Sequence, residues 1–174
     1  MGATAVNHFP VLVDRAAAQN SEPQEELGLP AIARRDATNV IQAYYTFIST
    51  GQFSQALDLL GPSFDMEPVR KIAAEMRELH NKVQTGEVSV SLERVREQGD
   101  WALAVLVIKA DVDNSERVFL ADQYLLNVGQ RWTVVPKQLR ESDPFKTFFN
   151  NNALTLNNWW KENHAAIHES ISDS

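Results

Sequence analysis

The feature of this chain that most constrains its fold is a change in the spacing of apolar residues near position 87. Before that position, apolar residues recur every three or four positions, which is typical of helices packed through one face. From 87 to 135 they alternate with polar residues or form short runs between turns, which is typical of antiparallel strands. Helices and strands in separate blocks predict an α+β fold.

The helical block contains three apolar stripes. The first follows the candidate N-caps Asp36 and Thr38, the second follows Gly51, and the third begins near Pro68, because proline suits the first turn of a helix. We therefore expect three N-terminal helices. Their stripes are Val40, Ile41, Tyr44, Phe47 and Ile48; Phe53, Ala56, Leu57 and Leu60; and Val69, Ile72, Ala73, Met76, Leu79, His80 and Val83.

The strand block predicts a four-stranded antiparallel meander with short turns. The turns contain Gly99, Asn114 and Gly129, residues that accept left-handed backbone conformations. In the first strand the apolar phase slips by one position at Glu93-Arg94. We interpret this slip as a β-bulge, which inserts one extra residue into a strand.

The second strand needs a cover on both of its faces, because residues 101–108 (WALAVLVI) are apolar without interruption. The N-terminal helices would cover one face. The other face needs either the aromatic segment that follows position 140 or a second copy of the chain. The sequence predicts a C-terminal helical appendix over 141–174 and leaves a homodimer through the outer sheet face as an alternative. The aromatic residues concerned are Phe145, Phe148, Phe149, Trp159 and Trp160.

The stripes and strands occupy residues 36–140, which we interpret as one domain. Residues 1–35 form a lead segment, with a proline- and glutamate-rich linker at 21–30 and an apolar run at 9–13 that is either an edge strand or a packed loop. No run approaches the ~20 apolar residues that span a bilayer. No signal peptide is recognisable in the chain as given, so both an exported and a cytoplasmic location remain open.

Composition excludes several chemistries. The 174 residues include no cysteine, so disulfides, thiolate zinc sites, iron–sulfur clusters and a cysteine nucleophile are excluded. The net charge of −7, with no basic block, argues against a nucleic-acid partner. Neither a Gly-x-Ser-x-Gly nucleophile motif nor a phosphate-binding glycine loop is present. We expect no cofactor.

Two groups have the residue types of a metal site without its pattern. His164 and His168 share a helical face, but the glutamate of the zinc-protease motif and a third ligand are missing. The acidic turn at 111–116 lacks the further oxygen ligands and the glycine of a calcium loop. We therefore expect no metal.

Three segments resemble the nuclear transport factor 2-like superfamily. Residues 40–48 (VIQAYYTFI) and 51–60 (GQFSQALDLL) resemble its opening helices, and 124–134 resembles its closing hairpin with a Gly-x-Trp strand. The resemblance covers about residues 36–140 and is closest to lumazine-binding-like members of unknown function. It implies a cystatin-like cone, in which the helices pack on a curved sheet around a conical pocket. The superfamily includes isomerases, dehydratases, cyclases, binders and assembly domains, so the fold alone does not choose a function.

Asp122, His80 and Tyr44 are the candidate catalytic residues. If the strand face of Asp122 lines the cone, desolvation would raise the pKa of its carboxyl and suit it to general acid or base catalysis. Alternatively, Asp122 faces outward or is held by a neighbouring donor. His80 is either an acid/base partner or a histidine bonded to a carbonyl at a helix edge. Tyr44 is either a further partner or a core residue.

Three functions follow from these observations. The first is a noncatalytic small-molecule-binding or interaction domain with an apolar pocket and a small apolar ligand. The second is an acid/base isomerase or dehydratase that uses Asp122 with His80 or Tyr44. The third is a structural homodimer. The residues expected to line a ligand pocket are Tyr44, Tyr45, Phe47, Met76, Trp101 and Tyr124.

Overall fold

The computed structural model of the protein describes residues 7–8, 29–61, 66–143 and 145–173, and it confirms the α+β fold. Three helices precede a curved antiparallel sheet, and further helices follow it. The strands are β1 (Asn7–His8), β2 (Val88–Gln98), β3 (Trp101–Val112), β4 (Ser115–Val128) and β5 (Arg131–Val135). The helices are α1 (Ala37–Ser49), α2 (Phe53–Asp58), α3 (Met66–Gln84), α4 (Lys137–Arg140), α5 (Phe145–Asn152) and α6 (Leu154–Ser172), with a 3-10 turn at Ala33–Arg35 before α1.

The strands follow one another in the sheet in chain order, from β1 to β5. Strands β2 to β5 are the predicted meander, and the two residues of β1 pair with the outer edge of β2. The predicted bulge is confirmed, because Leu92 pairs with Leu106 and Arg94 with Val105, which leaves Glu93 as the extra residue. The apolar run at 9–13 lies outside the described residues.

The sheet is covered on both faces, as the composition of β3 requires. Residues Trp101 to Val107 of β3 are all buried. The inner core lies between the sheet and α1, α2 and α3, and it includes Ala102, Ala104 and Leu106 from β3. The outer core lies between the opposite face of the sheet and α4, α5 and α6. The chain's own C-terminal helices therefore cover the second face.

Side-chain packing in the outer core is dominated by aromatic rings. Phe149 of α5 contacts Trp101 and Tyr124 edge to face, with ring centroids 5.5 and 4.7 Å apart. Leu156 of α6 is fully buried in the same core. Large aromatic rings bury the most apolar area per residue, so these few side chains hold the C-terminal helices on the sheet.

Helix α1 begins and ends at identifiable residues. The Asp36 carboxylate accepts hydrogen bonds from the backbone N–H groups of Thr38 and Asn39, at 2.8 and 3.3 Å, and so caps the N-terminus. The helix gives way at Thr50 to Gly51, which has a φ of 75° that favours glycine. These ends set the rotation of α1, and that rotation places Tyr44 and Tyr45 against the inner face of the sheet.

Helix α2 is shorter than its apolar stripe predicts. It ends at Asp58, and Leu60 instead forms an isolated parallel bridge with Val134 of β5. The Gly61 N–H donates to the Val134 carbonyl at 3.0 Å, and the Val134 N–H donates to the Leu59 carbonyl at 2.8 Å. The exposed edge of β5 thus takes two backbone groups that would otherwise extend the helix.

Candidate functional site

A cleft of about 160 Å³ lies between α1, α3 and the point where β5 leads into α4. Much of the inner core beside it is filled by buried side chains, so the open space is at the side of the cone rather than along its axis. The lining residues are Tyr44, Tyr45 and Ile48 of α1; Ile72, Glu75, Met76 and Leu79 of α3; Gln123 of β4; and Pro136, Lys137 and Gln138 beyond β5.

Two tyrosine rings form an aromatic corner in the cleft. Tyr44 and Tyr45 are consecutive on α1, so their side chains leave the helix about 100° apart. Their rings meet edge to face, with centroids 5.1 Å apart and planes at 86°. Ile72 and Met76 of α3 are buried beside them. The inner part of the cleft is therefore apolar and aromatic.

Tyr45 belongs to a hydrogen-bond chain that joins α1 to the sheet. Its hydroxyl donates to Gln123 Oε1 at 3.2 Å, and Gln123 Nε2 donates to the Val135 carbonyl at 2.7 Å. Burial raises the pKa of Tyr45, and the negative charge of Asp122 raises it further. Tyr45 is therefore a neutral donor at neutral pH, and its proton is engaged.

Tyr44 differs from Tyr45 because its hydroxyl has no hydrogen-bond partner among the residues that the structure describes. The residue is only 6% exposed. Burial raises the pKa of Tyr44 well above its ordinary value, and the neighbouring Tyr45 and the Glu75 carboxylate raise it further. The site therefore holds a buried, neutral O–H group with no protein acceptor, an arrangement that costs free energy unless a ligand or water accepts the bond.

The rim of the cleft carries opposite charges. Glu75 Oε2 accepts a hydrogen bond from Gln138 Nε2 at 2.7 Å, which joins α3 to α4. Lys137 Nζ lies 4.0 Å from Glu141 Oε1, with both side chains well exposed, so this pair is weak. The two charged groups that line the cleft are thus a held carboxylate and a loosely held ammonium.

The structure places Asp122 behind the sheet, away from the cleft. Side chains alternate along β4, so Asp122 shares the outer face with Tyr124 and Leu126. Its Oδ2 accepts a hydrogen bond from Arg140 Nη1 at 2.9 Å, and the Arg140 guanidinium lies over the Tyr124 ring, 5.2 Å from its centroid. Asp122 is therefore held by a neighbouring donor on the outer face, which was the alternative to a catalytic role.

His80 stabilises the end of α1. Its Nδ1 lies 3.0 and 3.1 Å from the carbonyl oxygens of Ile48 and Ser49. Both partners are acceptors, so Nδ1 carries the hydrogen and donates it. The ring also contacts Phe53 edge to face at 5.5 Å. His80 thus caps free carbonyls at a helix C-terminus, as its alternative interpretation states.

Asp122, His80 and Tyr44 consequently do not converge on one site, although the acid/base hypothesis requires them to. Asp122 lies in the outer layer, whereas Tyr44 lies in the inner core on the opposite side of the sheet. The hydrogen bonds of His80 are made to the end of α1. The expected triad is corrected by the alternation of β4, which turns residue 122 away from the cone.

The expected ligand-contacting residues divide into two groups. Tyr44, Tyr45 and Met76 line the cleft. Phe47 packs in the inner core, and Trp101 and Tyr124 lie in the outer core. The last two are corrected for the same reason as Asp122, since their positions on β3 and β4 face the C-terminal helices.

The sequence analysis did not single out Glu75, Gln123 or Gln138 as cleft residues. Gln123 had a recoverable signal: it is the neighbour of Asp122, and a strand that turns one of them outward turns the other inward. Glu75 and Gln138 lie on exposed helix surfaces that carry no periodic signal for a site. Only the packing of α4 beside α3 brings them together.

The two C-terminal histidines bond to separate backbone carbonyls. His164 Nδ1 lies 3.2 Å from the Trp160 carbonyl within α6, and His168 Nε2 lies 2.9 Å from the Val118 carbonyl of β4. Within 7–8, 29–61, 66–143 and 145–173, no three histidine, aspartate or glutamate side chains group as metal ligands.

Comparisons of the chain with protein-family models, with curated proteins and with solved structures found no match. None of the described helices is both long enough and apolar enough to cross a membrane.

Proposed function

We propose that this protein is a noncatalytic small-molecule-binding domain of nuclear transport factor 2-like type, and that its ligand occupies the cleft beside Tyr44. The observation that carries the proposal is the buried Tyr44 hydroxyl, which lacks an acceptor in an otherwise apolar and aromatic recess. Ligand sites combine such apolar walls with a few polar groups that orient the ligand. A ligand that accepts from this hydroxyl would remove the cost of leaving it unbonded.

The size of the cleft supports a small ligand. Its volume of about 160 Å³ is below the ~300 Å³ at which pockets for drug-sized molecules begin. It is close to the ~150 Å³ of an apolar cavity that binds benzene in another protein. A ligand with one six-membered ring, its polar group directed at Tyr44, matches this space.

The noncatalytic part of the proposal rests on the engagement of the acid/base candidates. Asp122 is bonded to Arg140 behind the sheet, and His80 is bonded to the end of α1. The cleft itself contains a tyrosine that stays neutral and a carboxylate at the solvent-exposed rim. This set orients a ligand more readily than it moves a proton.

A homodimer remains a prediction, with its surface narrowed. The outer sheet face that would have paired with a second copy is occupied by Phe149, Ala153 and Leu156 of the same chain. A dimer would therefore use a surface other than this one.

Methionine methyl NMR provides the test. The chain has three methionines, at 1, 66 and 76, and Met76 lines the cleft, so its ε-methyl resonance reports on occupancy. Toluene, benzyl alcohol and acetophenone are added in turn to ε-¹³C-methionine-labelled protein. We expect a saturable shift of the Met76 methyl with at least one probe, and no comparable shift at Met1 or Met66.

A plugged variant and a matched control locate the binding. Leu79→Trp adds bulk to a lining residue and should abolish the shift, whereas Leu154→Trp, on an exposed position of α6, should preserve it. The absence of a Met76 shift with all three probes would overturn the proposal. Equal binding by folded Leu79→Trp protein would also overturn it, because the ligand would then lie elsewhere.

A further inference from the structure

The polar groups of the cleft are complementary to one kind of ligand atom. Tyr44 offers an O–H without an acceptor. Glu75 Oε2 is used by Gln138, while Oε1 has no printed protein partner and remains an acceptor at the rim. Both residues line the same cleft, and they are not hydrogen-bonded to each other. A group that fits between them has to accept at one end and donate at the other.

We propose that the cleft selects ligands with a single ring that carries a hydroxyl group, with the ligand oxygen accepting from Tyr44 and its hydrogen donated to Glu75. The inference rests on the proposed function, since it names the class of ligand for the same cleft. A hydroxyl group is both donor and acceptor, so one group satisfies both residues. A hydrogen bond to a carboxylate is charge-assisted and stronger than one between neutral groups.

Other polar groups fit the pair less well. A ketone oxygen accepts from Tyr44, but it offers no hydrogen to Glu75 and places its own lone pairs near that carboxylate. An ammonium group donates to Glu75, but it leaves the Tyr44 O–H without an acceptor and meets the Lys137 ammonium that lines the same cleft. A ligand carboxylate is repelled by Glu75. The two-ended requirement therefore separates alcohols and phenols from ketones, amines and acids.

The test compares four probes of nearly equal size. Toluene, benzyl alcohol, acetophenone and benzylamine are titrated into labelled protein, and the dissociation constant is read from the Met76 methyl. We expect benzyl alcohol to bind about tenfold more tightly than toluene, which corresponds to one or two net hydrogen bonds. Acetophenone and benzylamine should both bind more weakly than benzyl alcohol.

Four variants assign the preference to the two residues. Tyr44→Phe and Glu75→Gln should each remove most of the advantage of benzyl alcohol over toluene while leaving the binding of toluene almost unchanged. Tyr124→Phe is the matched control for the first, because it removes another buried hydroxyl, one that lies in the outer core. Glu78→Gln is the control for the second, because Glu78 is on the same helix and pairs with Lys82 in solvent. Both controls should keep the full preference.

The possible outcomes separate the two proposals. If all probes shift Met76 with equal affinity, the cleft binds ligands but the hydroxyl preference is overturned. The same conclusion follows if acetophenone or benzylamine binds most tightly, or if Tyr44→Phe and Glu75→Gln both retain the tenfold preference. If no probe shifts Met76, the proposed function fails, and this inference fails with it.

Discussion

Replacing Tyr124 with phenylalanine should leave the protein as stable as the wild type, or more stable, although the change removes a polar group from a core residue. Tyr124 is 1% exposed, and its hydroxyl is buried without a hydrogen-bond partner in the described part of the chain. The ring itself contacts Trp101 and Phe149, with centroids 6.4 and 4.7 Å away. A phenylalanine keeps those ring contacts and loses only the unbonded oxygen.

The magnitude follows from the cost of burying an unsatisfied hydroxyl. That cost is about 1–3 kcal/mol, and packing around the missing oxygen returns part of it. We therefore expect Tyr124→Phe to raise the free energy of unfolding by about 1 kcal/mol. For a chain of this length, such a gain raises the melting temperature by about 2–4 °C.

Urea denaturation followed by circular dichroism measures this change, and Tyr45→Phe is the matched comparison. The Tyr45 hydroxyl donates to Gln123, so its removal should lower the free energy of unfolding by about 1 kcal/mol and leave Gln123 Oε1 without its donor. The two Tyr-to-Phe changes should thus have opposite signs. If Tyr124→Phe destabilises the protein as much as Tyr45→Phe does, the Tyr124 hydroxyl has a partner in solution and the reasoning is refuted.

Four further predictions concern stability and binding. Phe149→Ala should lower the free energy of unfolding by about 3–5 kcal/mol in denaturation, whereas Phe148→Ala, at a position 44% exposed, should lower it by about 1 kcal/mol or less. Asp122→Asn weakens the partly buried bond to Arg140 and should cost about 1 kcal/mol while toluene still shifts Met76; lost binding would contradict the position of Asp122 behind the sheet. His80→Leu removes the hydrogen on the carbonyls that end α1 and should cost about 1–2 kcal/mol, and an unchanged urea midpoint would argue against that capping role. The three tyrosines have pKa values raised by burial, that of Tyr124 to about 12, so the folded chain holds their protons above pH 10 when the unfolded chain releases them; stability should be constant in this respect below pH 10 and fall above it, and a flat alkaline stability curve would contradict this.

The elements of this fold were predictable because their signals are local. Helical stripes and strand alternation identified three helices and four strands, and the phase slip at Glu93 identified the bulge. The unbroken apolar run of β3 also showed that both sheet faces need a cover. Such patterns depend on residues within a few positions of one another, and a single sequence contains them in full.

The candidate site was predictable only in part. The apolar stripes of α1 and α3 pointed to Tyr44 and Met76, because a stripe marks the side of a helix that faces its neighbours. The assignment of Asp122, Trp101 and Tyr124 to the cone failed, because alternation shows which residues share a face but not which face lies inside. That choice depends on which helices pack on each side.

By itself, the sequence determined the order of helices and strands, the bulge, the turns and the sharing of faces, since each follows from backbone geometry over a few residues. Only the tertiary structure decided that the C-terminal helices cover the outer face and that Asp122 bonds to Arg140 there. It also ended α2 early, because Leu60 and Gly61 meet the edge of β5, where a side chain on Gly61 would lie 2.8 Å from Thr133. It left the Tyr44 hydroxyl without an acceptor, because the partners of a buried group come from segments far apart in the chain, and their approach is set by packing rather than by local spacing.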